Sequence, residues 1–106
     1  WGGLRGGLRC AMSAFVLETR PRAEKDTATM PPRFGFTVTK ALGKAVERNR
    51  MRRRLKAALT AIAPTCAQVG FDYVVIARRA SLDRPFPQLR TDLEKAFARV
   101  HRQEKT

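Results

Sequence analysis

The alternation of apolar and polar side chains predicts three strands. The run AFVLETR, residues 14–20, is rich in β-branched and aromatic side chains and ends before Pro21, which favours a first strand. In RFGFTVTK, residues 33–40, apolar side chains alternate with small or β-branched ones, the period of two expected of a strand. The run FDYVVIAR, residues 71–78, is almost continuously apolar after Gly70, which is typical of a strand covered on both faces.

Two further segments repeat apolar residues at helical spacing. The first pattern follows Gly43 and runs from about Lys44 to Ile62, and Pro64 is expected to end it. The second, residues 89–100, follows a proline that suits the first turn of a helix. The order β-β-α-β-α predicts an α+β protein, built as a two-layer α/β sandwich of one sheet and two helices.

The length of the chain favours a single domain. At 106 residues, one modest hydrophobic core over residues 1–106 is the simplest arrangement. Residues 1–9 contain GGLR twice, a basic, Gly-rich repeat with little apolar surface to pack. The sequence therefore predicts a mobile arm over about residues 1–12 and a folded core over about residues 13–103.

The charge of the chain indicates a polyanionic partner. Lys and Arg number 22 against nine Asp and Glu, a formal net charge of +13 that a nucleic acid would relieve. Eight basic residues and one acid lie between Lys40 and Lys56, so these 17 residues carry +7 of that charge. No run of about 18 apolar residues and no signal-peptide core is present, which predicts a cytoplasmic protein without a membrane span.

A helical wheel divides the charged segment into two faces. An apolar stripe around Leu55 is formed by Met51, Leu55, Ala58, Leu59 and Ile62. The far side is formed by Asn49, Arg50, Arg53, Lys56 and Thr60. Arg52 and Arg54 flank the stripe, and Arg48 projects near it in the first turns. The segment is therefore predicted to pack on a core with one side and to present cations with the other.

Such crowding of cations is unfavourable for the helix itself. Like charges three or four residues apart repel, and cations near a helix N-terminus oppose the macrodipole. Phosphates would offset both effects, because free N–H groups of the first turn attract anions and guanidinium groups bind phosphate oxygens in pairs. A merely solvated face is one alternative. A helix for a membrane surface or a calmodulin-type partner is another, although it would need a broader apolar face.

Catalytic chemistry is not indicated by the remaining residues. The nine acids are scattered, whereas metal-dependent hydrolysis needs clustered carboxylates. His101, the one histidine, follows an apolar helical pattern and is assigned a surface role. Cys10 and Cys66 lack metal-ligand spacing and are expected to be free thiols. No catalytic residue and no metal ligand is predicted.

The string RFGFTVTKALGKAVERNRMRRRLKAAL resembles the signature of the bacterial ribonuclease P protein subunit. In that family a strand, a Lys-x-x-Gly turn and an Arg-Asn-Arg motif with trailing basic residues occur in this order. The resemblance continues through DYVVIARRA and LRTDLEKAF and covers about residues 14–100. Family members usually begin with a basic helix bearing aromatic residues, so here the usual N-terminal helix is expected to be absent or altered, through truncation or a misplaced start.

The resemblance implies a protein subunit of a ribonucleoprotein endoribonuclease. Its RNA subunit would remove the 5′ leader of precursor tRNA with Mg²⁺ held by RNA, and the protein itself would not cut. The implied partners are the ribonuclease P RNA and precursor tRNA, with no organic cofactor, membrane or obligate protein partner. The implied ribosomal-protein-like fold has a left-handed β-α-β crossover, against the usual right-handed rule.

The resemblance also implies roles for individual residues. Gly43 matches the structural turn, and a groove between sheet and helix would take the single-stranded leader. The RNA-binding candidates are Lys40, Lys44, Arg48, Asn49, Arg50, Arg52, Arg53 and Lys56. The leader-cleft candidates are Phe15, Val16 and Phe36. Glu18 lies near the expected groove, where its charge would repel phosphate.

Two other functions stay open at this point. A non-enzymatic RNA-binding protein of ribosomal or assembly type could use the same basic helix. A stand-alone nuclease would need activity in RNA-free protein.

Overall fold

The structure, a computed structural model, describes residues 8–21, 33–67 and 71–104. Its elements are β1 (Leu8–Ala11), β2 (Phe15–Pro21), β3 (Arg33–Thr37), α1 (Ala45–Cys66), β4 (Phe71–Ala77) and α2 (Phe86–Glu104). Short 3₁₀ turns, Lys40–Leu42 and Arg79–Leu82, precede α1 and α2. Neither described helix has the length and apolarity needed to cross a membrane.

The four strands form one mixed sheet in the order β1-β2-β4-β3. β2 pairs antiparallel with β1 and with β4, whereas β3 pairs parallel with β4. β3, α1 and β4 therefore form a parallel β-α-β unit, with α1 as the crossover. The predicted α+β fold class is confirmed, and the left-handed sense of the crossover stays a prediction.

The strand β1 corrects the predicted N-terminal arm. Residues 8–11 pair with β2, and Cys10 lies opposite Leu17, with both side chains buried. Backbone hydrogen bonds and this burial offset the entropy lost on ordering the segment. The arm predicted over residues 1–12 is therefore wrong for residues 8–11, and the element order gains a strand. Residues 1–7, which carry most of the predicted arm, lie outside the described part of the chain.

One face of the sheet carries the core. β2 and β4 bury the alternate residues Phe15, Leu17, Thr19, Tyr73, Val75 and Ala77, in register with one another. Both helices contribute to the same hydrophobic cluster. The side chains of Asp72, Val74 and Ile76, which alternate with the buried ones in β4, are only half-buried. The prediction that this strand is covered on both faces is wrong, since its second face is partly open.

Helix α1 continues past the proline that was expected to end it. Pro64 lies in the last turn, and α1 ends at Cys66. A proline there removes one hydrogen bond, the one its N–H would donate to Thr60. The next turn is still closed, because the Ala67 N–H donates to the Ala63 carbonyl oxygen at 2.9 Å. The helix therefore ends at Cys66, four residues after its predicted end at Ile62.

A candidate RNA interface on helix α1

The apolar stripe of α1 is buried as its spacing predicts. Met51, Leu55 and Ala58 are fully buried, and Leu59 and Ile62 are 3% exposed. The opposite side is exposed to solvent, and we call its polar and cationic residues the basic face. The basic face consists of Asn49, Arg50, Arg52, Arg53 and Lys56. The division of the helix into a packed side and a cationic side is therefore confirmed.

The charges of the basic face are not neutralised by the parts of the chain that the structure describes. Its one internal contact joins Arg52 Nη1, which donates, to Asn49 Oδ1 at 3.1 Å. The ion pairs in the described ranges use arginines outside the basic face. Crowded cations without carboxylate partners repel one another and favour an anionic ligand.

The three remaining RNA-binding candidates lie at the N-terminal end of α1. Lys40, in the 3₁₀ turn, and Lys44, the residue before the first turn of α1, are exposed. Arg48 is half-buried and donates from Nε to the Gly43 carbonyl oxygen at 3.2 Å. Lys40 and Lys44 can therefore reach a ligand freely, whereas Arg48 is partly engaged in holding the turn.

A carboxylate occupies the N-terminus of α1. The Lys44 backbone N–H donates to Glu47 Oε1 at 3.1 Å, and Arg79 donates to Glu47 Oε2 at 2.8 Å. The hydrogen bond from Arg79, followed by that from Lys44, lowers the pKa of Glu47 from 4.5 to about 2, and Glu47 raises the pKa of Arg79. Glu47 thus remains ionised at neutral pH, and its negative charge at the N-terminus of α1 opposes the binding of a phosphate there.

Gly43 is required by its conformation and by its surroundings. Its φ of 153° lies in a region that side chains rarely adopt. A Cβ at this position would lie 2.5 Å from both Arg79 Nη1 and Glu47 Oε1. The predicted structural role of Gly43 therefore has a steric reason as well as a backbone one.

Arg54 belongs to the scaffold, although it lies within the cationic run. It donates from Nε to the Ser81 carbonyl oxygen at 2.9 Å and from Nη2 to that of Arg84. Arg84 in turn pairs with Asp92, which is 6% exposed. These contacts connect α1 to the segment that leads into α2. The bonded residues are 27 and 30 positions apart in the chain, so helical periodicity does not detect these contacts.

A groove of about 600 Å³ lies between β3 and α1. It is lined by Phe34, Phe36, Arg52, Lys56, Leu59, Thr60, Ala63 and Pro64. Both phenylalanines are half-buried, and Phe34 stacks on Tyr73 with ring centroids 5.5 Å apart. The groove therefore combines aromatic surface with two cations of the basic face, and the described lining includes no carboxylate.

The three leader-cleft candidates do not share one cleft. Phe36 lines the groove, but Phe15 is fully buried in the core, where no base could contact it, so its assignment is wrong. Val16 is 7% exposed and lies on the opposite face of the sheet. Glu18 shares that face and lies 3.6 Å from Arg9, which reduces the repulsion expected from its charge.

Candidate catalytic groups remain scattered. Among the residues that the structure describes, no three His, Cys, Asp or Glu side chains could hold a metal ion together. His101 is 8% exposed, and its Nε2 lies 2.8 Å from the Tyr73 hydroxyl. The surface role predicted for His101 is therefore wrong, because the histidine packs within an aromatic cluster against Phe97 and Phe71. Cys10 and Cys66 are free thiols.

The fold and the exposed basic face together are typical of a small α+β protein that binds nucleic acid. The chain belongs to the ribonuclease P protein family, because the family model described as Ribonuclease P matches residues 4–101. Membership confirms the resemblance found in the sequence. It makes the chain a protein component of ribonuclease P, a ribonucleoprotein endoribonuclease of tRNA processing that has an RNA partner.

Individual relatives agree with the family assignment. The ribonuclease P protein component of Paramagnetospirillum magneticum is 42% identical over 96 residues, which cover 91% of this chain and 72% of the relative. That of Symbiobacterium thermophilum is 49% identical over 76 residues, covering 72% of this chain and 65% of the relative. The structure of the Staphylococcus aureus RNase P protein matches with a TM-score of 0.67 and 28% identity, covering 91% of this chain and 84% of that one. These similarities do not favour the ribosomal or assembly alternative.

Proposed function

We propose that the basic face of α1 binds the RNA subunit of ribonuclease P, and that the adjacent groove takes the 5′ leader of precursor tRNA. The complex would act in the cytoplasm and release the leader by RNA-catalysed, Mg²⁺-dependent hydrolysis. The observation that carries the proposal is a basic face that has no carboxylate partner among the described residues and lies beside an aromatic groove, in a chain of this family.

Phosphate contacts are expected to dominate the affinity. Six exposed cations in and beside α1 are available to an RNA backbone: Lys40, Lys44, Arg50, Arg52, Arg53 and Lys56. If about six phosphates are neutralised, the logarithm of the binding constant falls with the logarithm of salt concentration at a slope on the order of −4 to −5. A flat salt response would contradict any RNA-binding function of this surface.

We assign the catalytic Mg²⁺ ions to the RNA partner. Among the described residues, no three carboxylate, histidine or cysteine side chains lie close enough together to hold a metal ion, which supports placing the metal sites on the RNA. What the protein supplies is positive charge. Cations of the basic face lower the repulsion between RNA strands, a task that free Mg²⁺ would otherwise perform.

Binding to two RNAs of equal length separates this proposal from the ribosomal alternative. The chain is expected to bind a bacterial ribonuclease P RNA at least tenfold more tightly than a ribosomal RNA fragment, because specific contacts add about 1.4 kcal/mol or more to the shared phosphate term. Filter binding at fixed salt measures both dissociation constants. Equal affinities, or tighter binding of the ribosomal fragment, would favour the alternative.

The groove is tested by replacing Phe36 with leucine. This change keeps an apolar side chain but removes an aromatic ring, and stacking on a base contributes about 1–3 kcal/mol. The preference of the reconstituted complex for precursor tRNA over mature tRNA should therefore fall about tenfold. The matched control is Phe86→Leu, since Phe86 is also half-buried but does not line the groove. Equal losses in both variants would argue against the groove as the leader site.

A further inference from the structure

We infer that Glu47 and Arg79 form a clasp that positions the basic face for RNA without either side chain being an RNA contact. The inference rests on the proposed function, because it concerns the same interface. It assigns a positioning role to Arg79, which lies outside the Arg-Asn-Arg motif, and to Glu47, the acid of the cationic segment.

The contacts of the clasp connect three segments. Arg79, just after β4, donates from Nη1 to the Leu42 carbonyl oxygen and from Nη2 to Glu47 Oε2, each at 2.8 Å. These bonds span 37 and 32 positions of the chain. Glu47 extends this connection to Lys44, because its Oε1 accepts a hydrogen bond from the Lys44 N–H. A single guanidinium thus joins the end of a central strand to the 3₁₀ turn and to the first turn of α1.

The geometry around Gly43 shows how closely the clasp encloses the turn. Atoms of Arg79 and Glu47 occupy the space that a Cβ of Gly43 would need. Arg48 also donates to the carbonyl oxygen of Gly43 in the same turn. The exposed Lys40 and Lys44 flank this enclosed turn, so the clasp sets where their backbone lies relative to the basic face.

Charge alone would not select Glu47 at this position. A carboxylate on a surface that binds phosphate lowers affinity by repulsion, so an acid without another role would weaken the interface. The hydrogen bonds that Glu47 accepts from Lys44 and Arg79 give it a structural role. The depressed pKa of Glu47 agrees with a carboxylate that is held in its charged form by these donors.

If Glu47 and Arg79 position the basic face, removing the charge of Glu47 should change RNA affinity in the direction opposite to that expected from charge alone. Glu47→Gln removes a negative charge from the interface, yet it should weaken binding to the ribonuclease P RNA about fivefold, because the first turn loses its anchor. Arg79→Gln should weaken binding to the same degree. The double variant should be no worse than either single one, since both changes break one unit. Dissociation constants of the full chain, measured over a range of salt concentrations, show whether each variant binds the RNA more weakly or more tightly than the unmodified chain.

The salt dependence separates positioning from direct contact. A side chain that binds phosphate changes the slope of log K against log salt by about one when it is removed, whereas a positioning residue leaves the slope unchanged. The slopes of Glu47→Gln and Arg79→Gln should therefore equal that of the unmodified chain. Glu94→Gln and Arg90→Gln are the matched controls, an exposed acid and an exposed arginine of α2, and each should reduce affinity much less than the clasp variants do.

Amide exchange gives a readout that does not depend on RNA. The Lys44 N–H should be protected in the free protein, and Glu47→Ala, which removes the acceptor of that N–H, should lose the protection. In Glu47→Ala, Glu47→Gln and Arg79→Gln alike, the N–H groups in the middle of α1 should keep their protection. This comparison also shows that the variants are folded. Unchanged exchange at Lys44 in Glu47→Ala would overturn the clasp.

Four binding results would contradict the positioning role in different ways. Tighter binding of Glu47→Gln would mean that its charge matters only by repulsion. A slope reduced by about one in Arg79→Gln would make Arg79 an RNA contact. Tight binding by the unmodified chain that neither variant alters would overturn the clasp and leave the proposed function intact. Absence of binding by the unmodified chain would overturn the proposed function, and the positioning role with it.

Discussion

Replacing Leu55 by alanine is expected to lower the free energy of unfolding by about 2–5 kcal/mol. Leu55 is fully buried at the centre of the stripe that fixes α1 to the core. The change removes three carbon atoms from a closely packed region and leaves a cavity that the surroundings fill only in part. Since a domain of this size has a total stability of about 5–15 kcal/mol, the loss is a large fraction of the whole.

Urea unfolding followed by circular dichroism measures this loss directly. The control is Arg53→Ala, a change on the exposed side of the same helix, which is expected to shift stability by no more than about 0.5 kcal/mol. An effect of Leu55→Ala below about 1 kcal/mol, or a larger effect of the control, would show that α1 packs through another side than the one described here.

Replacing both Arg50 and Arg53 by alanine is expected to have the largest effect on RNA binding. Both side chains lie on the exposed basic face, where guanidinium groups can bind phosphate in bidentate geometry. Affinity for the ribonuclease P RNA should fall roughly 10- to 100-fold, and the salt slope should become shallower by about 1.5–2. The unfolding midpoint should not change, because neither side chain contributes to the core.

The matched control for this double variant is Arg90→Ala with Lys95→Ala. These two cations are exposed on α2, so the control removes the same charge from the other helix. Its affinity should fall by much less, because it weakens only the general attraction to RNA. Equal losses in the two double variants would mean that net charge, and not the basic face, determines binding. Unfolding of the Arg50 and Arg53 variant would show that the helix faces are misassigned.

The parts of the fold that depend on local periodicity could be predicted from the sequence. The spacing of Met51, Leu55 and Leu59 identified the packed side of α1, because a helix places every third or fourth residue on one side. The alternation around Phe34 and Phe36 identified β3 in the same way. Both patterns are visible within a dozen residues, and neither requires knowledge of the partner element.

The parts that depend on distant pairing could not be predicted. β1 is four residues long, follows glycines, and is held by pairing with β2 and by packing of Cys10 in the core. Periodicity also says which residues share a face, but not which elements cover it. The resemblance that suggests Phe15 as a cleft wall therefore does not reveal its burial in the core. The contacts of Arg79 with Glu47 and of Arg54 with Ser81 join separate segments, and no sequence spacing signals them.

The structure also explains how so much like charge is tolerated on one helix. The buried stripe and the contacts of Arg54 hold α1 against the core, while the clasp fixes its N-terminus. Each interaction opposes the repulsion among the cations without using a side chain of the basic face. The helix can therefore keep its cations exposed for an RNA partner.

Cleavage of a precursor tRNA at low Mg²⁺ tests the central claim most directly. The full chain is mixed with a bacterial ribonuclease P RNA, and release of the 5′ leader is compared with the RNA alone and with the Arg50→Ala, Arg53→Ala double variant. If the basic face binds this RNA and assists its reaction, the unmodified chain will accelerate leader removal where the RNA alone is slow, and the double variant will lose most of that effect. Equal rates with and without the chain would contradict the account.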